Sequence, residues 1–98
     1  MLAALMLLAT AFGPAATCAH REAAPDAAAA RRIAETAVRD AGASTRAWRL
    51  VVQADRDDAR LWAAFQVRRG ARSVRGGGGL EFRINRCTGD ISRMQRAR

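Results

Sequence analysis

The chain has 98 residues, 50% of them hydrophobic by type, and a formal net charge of +8. That length leaves room for one small domain and excludes a multidomain architecture. All seventeen basic residues are arginine, which fits a GC-rich genome as well as a selected surface, and the excess charge points to anionic partners.

In chain order, residues 1–19 read as an export signal. Leu2 to Phe12 form an eleven-residue apolar run, the length of a signal core and too short to span a bilayer as a helix. Gly13-Pro14 breaks the run, and Thr17-Cys18-Ala19 puts small residues where a signal peptidase reads, making His20 the expected mature start. No basic residue precedes the run. Ala15-Ala16-Thr17-Cys18 also has a loose lipobox form, so Cys18 has three open fates. It is removed with the leader, lipidated as an envelope anchor, or kept to pair with Cys87 in an oxidising compartment.

Residues 20–25 (HREAAP) read as a short polar tether to a single α+β domain spanning 26–95. Asp26 is a suitable helix N-cap. Ala30, Ile33, Ala34, Ala37, Val38 and Ala41 then follow one helical stripe up to Gly42, a helix-ending residue. Glu35 and Arg39 stand at the favourable i, i+4 spacing among the surface positions. A stripe mostly of alanine lets this helix lie close to a sheet.

Four strands are expected after it, giving one N-terminal helix on a curved four-stranded antiparallel sheet in the order α-β-β-β-β. The first covers Arg46 to Gln53, and Ala54 to Asp58 is a polar turn. The second covers Arg60 to Arg68, with Leu61, Ala63, Phe65 and Val67 alternating against Trp62, Ala64, Gln66 and Arg68. Arg69 to Gly79 is irregular, with five glycines and three arginines. Leu80 to Arg86 alternates cleanly as a third strand, Gly89 takes the left-handed position of a hairpin loop, and Ile91 to Gln95 returns as the fourth. Residues 96–98 are expected to fray. Only sixteen large apolar side chains follow Ala19, so the core is small and a partner covering one sheet face would add stability.

The inventory of reactive groups argues against an enzyme. The single histidine, His20, stands at the expected mature N-terminus, and Cys87 has no histidine partner in the folded part. Asp55, Asp57 and Asp58 lack the length, glycine and bidentate glutamate of a calcium loop. Gly76, Gly77, Gly78 and Gly79 lead into a strand rather than a helix, so the helix dipole of a phosphate cradle is missing and the expected role is a bend or bulge, or close approach by another backbone. No cofactor or metal is implied. The Leu61 side of the second strand is the more apolar, so Trp62 is expected to face away from the helix. There it would join Ala64 and Val51 in an exposed aromatic patch. Trp62, Arg68, Arg72, Arg75 and the four glycines are therefore the candidate partner contacts.

Ile33-Ala34-Glu35, Leu61-Trp62-Ala63-Ala64-Phe65, VRGGGG and INRCTGDI together resemble small bacterial immunity proteins with a nuclear-transport-factor-two-like (cystatin-like) fold. Asn85, Thr88, Gly89 and Ile91 match the closing hairpin of that family, with Asn85 where an aspartate is usual and Cys87 at a commonly charged place. The resemblance implies an exported, non-catalytic module that binds and neutralises a toxin domain. A second resemblance, to PepSY-type domains, rests on the strand and Thr-Gly hairpin and implies an exported peptidase inhibitor or modulator. A third reading is an arginine-rich envelope protein held on anionic lipid or polysaccharide. Nucleic acid ranks below these partners for an exported chain.

Overall fold

The computed structural model describes residues 18, 19, 21–70 and 78–97. Helix α1 (Ala27–Asp40) precedes β1 (Trp48–Ala54), β2 (Leu61–Arg68), β3 (Leu80–Asn85) and β4 (Ile91–Arg96). The strands form one antiparallel sheet in sequential order, and α1 packs across β1, β2 and β3. This is the α+β architecture expected from the sequence.

Helix α1 starts where Asp26 Oδ1 accepts from the Ala29 amide at 2.9 Å. It ends at Ala41, followed by Gly42 at φ 69°. Ala30, Ala34 and Val38 are buried at i, i+4 and i+8, and Ile33 and Ala37 flank them. The Glu35–Arg39 spacing does not become an ion pair; Arg39 Nη2 instead donates to Thr36 Oγ1 at 3.5 Å.

Register fixes which sheet face meets the helix. Leu50, Val52 and Ala54 stand opposite Gln66, Ala64 and Trp62, and Trp62 and Ala64 stand opposite Ile84 and Phe82. Directly paired residues share a face, so Trp62, Ala64, Phe82 and Ile84 meet Ala30, Ala34 and Val38 in the main core. The expectation that Trp62 faces away from the helix is thus reversed. Leu61, Ala63, Phe65 and Val67 occupy the opposite face and are buried as well. Val51, paired with Phe65, lies on their side and not beside Trp62.

The turns follow from local side-chain chemistry. Between β3 and β4, Asn85 Oδ1 accepts from the Cys87 and Thr88 amides at 2.9 and 3.0 Å. Gly89, at φ 78°, donates its amide to Asn85 O at 2.8 Å. An amide oxygen thus does the work an aspartate carboxylate would do there. On β4, Arg93 and Met94 together stand opposite the single residue Phe82 between the pairs Glu81–Gln95 and Arg83–Ser92, one residue in excess, with Arg93 at φ 55°. This bulge, and the exposed charges around it, protect an edge strand from pairing with another chain. The strand does not fray at its end: Ala97 is buried, its amide donating to Gly79 O at 2.7 Å and its carbonyl accepting from Gly78 at 2.8 Å.

Between β1 and β2, Asp55 organises the acidic turn. Its Oδ2 accepts from the Asp57 and Asp58 amides at 3.1 and 3.0 Å, and its Oδ1 lies 2.7 Å from Arg83 Nε on β3. The Asp55 side chain is only 4% exposed, so within this polar turn it is a buried anchor. Burial pushes its pKa up, but the two amides and the Arg83 charge outweigh that and hold it below the ordinary 3.8. A depressed folded-state pKa gives stability that is present above the unfolded value and is lost as pH falls through the folded one. Acid titration followed by circular dichroism should therefore show stability falling below about pH 4, with Asp55→Asn less stable at neutral pH and less steep in acid. Equal acid slopes in the two proteins would refute that role.

Residues 21–25 are not a free tether. The Ala23 and Ala24 amides donate to Cys87 O and Arg86 O at 3.1 and 3.0 Å, and Ala24 is fully buried. Trp62 Nε1 donates to Ala24 O at 2.8 Å, while the Arg86 guanidinium lies 4.4 Å over the Trp62 ring. Cys18 is joined to Cys87 by a disulfide.

Candidate functional site

An open groove of about 690 Å³ runs between α1 and the start of the sheet. Helix spacing puts Arg31, Glu35 and Arg39 on one wall at i, i+4 and i+8, with Arg32 beside them. The other wall comes from Thr45, Trp48, Arg49 and Leu50, and Gln66 and Arg69 complete the lining. Five arginines thus face a single glutamate.

Three of the arginines are held but not neutralised. Arg31 Nη1 donates to Leu50 O at 3.1 Å, which also occupies an acceptor on the outer edge of β1. Arg69 Nη2 donates to Thr45 O at 3.3 Å. The acceptors of Arg31, Arg39 and Arg69 are all neutral oxygens, and among the described residues none of these three, nor Arg32, forms an ion pair. Such an array attracts anions and presents planar donors that match a carboxylate or phosphate two bonds at a time.

Trp48 gives the groove a rigid apolar wall. It is half-buried, with the Arg68 guanidinium 5.0 Å from its ring centre. The last glycine of the GGGG run makes this possible. A Cβ at Gly79 would stand 2.7 Å from Gln66 O and 3.0 Å from Trp48 Cζ3, so only glycine lets the chain pass beneath the ring. Gln66, itself buried, ties the same corner together: its Nε2 donates to Ser44 O and its Oε1 accepts from the Leu80 amide, both at 3.1 Å.

Of the contacts expected from sequence, Arg68 is exposed beside the groove, supporting Trp48. Gly78 lies at φ 93° in open space, and Gly79 is buried as a packing position. Arg72, Arg75, Gly76 and Gly77 lie outside the described residues. Trp62 is 8% exposed and belongs to the core, so the aromatic patch expected around it does not form. The tryptophan at the surface is Trp48. Sequence reading passed over Arg31, Arg32, Arg39, Arg49 and Arg69, although the i, i+4, i+8 spacing of Arg31, Glu35 and Arg39 marks one helix face. Among the described residues, no group of three or more His, Cys, Asp or Glu side chains is placed to hold a metal ion.

Fold and groove together define a small α+β domain with an arginine-rich cleft at one helix–sheet junction. Comparison of the chain with protein-family models, curated proteins and solved structures gave no match.

Proposed function

We propose that the chain is an exported, non-enzymatic binding module that takes an acidic surface of a protein partner into the α1–β1 groove, as an immunity protein takes a toxin domain. The observation that carries this reading is that Arg31, Arg39 and Arg69 of the groove bond only to neutral oxygens, beside a tryptophan held rigid by Arg68 and Gly79. Aromatic and arginine side chains in a desolvated pocket dominate protein interfaces, and uncompensated charge around them speeds encounter and selects the partner. The Cys18–Cys87 disulfide supports an oxidising compartment, and no helix among the described residues is long and apolar enough to cross a membrane. The resemblance of Val74 to Ile91 to the immunity family supports the choice of partner.

The test is co-expression with the product of the adjacent gene, which this reading expects to be a growth-arresting toxin domain. The wild-type chain is expected to restore growth. Arg31→Glu/Arg39→Glu should fold normally, bind at least about tenfold more weakly, a loss of about 1.4 kcal/mol, and fail to rescue. Rescue by the reversed variant would refute the groove. A partner that dissociates at about 0.15 M salt, where the Debye length is about 8 Å, would favour a lipid or polysaccharide surface instead.

A further inference from the structure

We propose that processing stops short of Cys18, so that the mature protein keeps this cysteine as a covalent latch to Cys87 and the leader is severed at a bond before it. This inference is independent of the groove. Cys18 and Cys87 are joined with their Cα atoms 5.4 Å apart. The chain that follows is seated on the same turn: Ala23 donates to Cys87 O, Ala24 donates to Arg86 O, and buried Ala24 accepts the Trp62 indole N–H. Gly89 leaves the space this seating needs, since a Cβ there would stand 3.2 Å from Ala23 Cβ. The start of the folded unit therefore reaches back to Cys18, beyond the signal boundary read at Ala19.

The three fates of Cys18 exclude one another chemically. Hydrolysis after Ala19 discards the residue. A thioether to a diacylglyceryl group uses the sulfur valence that the disulfide needs. Disulfide formation removes two protons and two electrons from the Cys18 and Cys87 thiols, and the acceptor is a disulfide-bearing oxidant of the exporting compartment, reduced in turn to two thiols. Only retention with oxidation is compatible with the observed bond.

The full chain, with its own N-terminal segment, is produced in an exporting bacterial host and the exported form is examined by intact mass spectrometry and N-terminal sequencing. The expected product has lost the apolar run Leu2 to Phe12 but begins at or before Cys18, carries no lipid, resists alkylation until reduced, and then gains the mass of two hydrogens; an uncleaved chain would overturn the proposal. A product beginning at Ala19 or later, a diacylglyceryl mass on Cys18, or thiols that alkylate without reduction would each overturn the proposal.

Discussion

Trp62→Ala is expected to destabilise the domain by about 3–5 kcal/mol, the range for removing a buried aromatic side chain. Further loss comes from the Ala24 carbonyl, which gives up its indole donor at 2.8 Å, and an orphaned buried group costs about 1–3 kcal/mol. Arg86 loses the ring beneath it as well, and its Nε is already buried without an acceptor among the described residues. A domain of this size holds only about 5–15 kcal/mol in total, so the melting temperature should drop by tens of degrees or the transition should vanish. Trp62→Phe, which keeps most of the apolar area and loses the N–H, should fall in between. A Trp62→Ala protein with wild-type melting would mean that the indole is at the surface after all.

Breaking the latch should have a comparable effect. Cys18 and Cys87 are 69 residues apart, and chain entropy for a loop of that length gives about 4 kcal/mol of stabilisation. Cys87→Ser, or reduction of the wild-type protein, should lower the urea midpoint correspondingly and speed hydrogen exchange at the Ala23 and Ala24 amides. Because Trp62 and the disulfide hold the same segment, the double change should cost less than the sum of the two. An unchanged midpoint on reduction would show that the disulfide adds nothing to the stability of the fold.

The element order was legible because each signal is local. Asp26 is a cap whose carboxylate reaches an amide three residues on, Ala30, Ala34 and Val38 repeat at helical spacing, and Leu80, Phe82 and Ile84 repeat at strand spacing. Gly89 was legible because a left-handed turn position selects for glycine. The orientation of β2 was not. Alternation shows which residues share a face, but β2 is buried on both faces, so comparing their apolarity cannot decide which one meets α1. Register with β1 and β3 decides it, and register is a long-range property.

The other omissions have the same origin. Nothing in His20 to Pro25 marks Ala24 as buried, because its place is set by backbone bonds to a turn more than sixty residues away. The arginines of α1 look like a solvated helix face until β1 is laid beside them. Arg49 and Arg69 come from separate strand ends and share no sequence spacing with Arg31, Arg32 and Arg39. A glycine run allows a bend, a bulge or a close backbone approach, and only the fold shows that the approach is made at Gly79, against Gln66 O and the Trp48 ring.

The chain has two tryptophans, so a nitrogen–proton correlation spectrum contains two indole signals, one from the groove and one from the core. On titration with a poly-glutamate peptide, the Trp48 signal should move and saturate while the Trp62 signal stays in place, and Arg31→Glu/Arg39→Glu should abolish the movement. Movement of Trp62 alone, or an identical titration of the charge-reversed protein, would contradict a binding surface between α1 and β1.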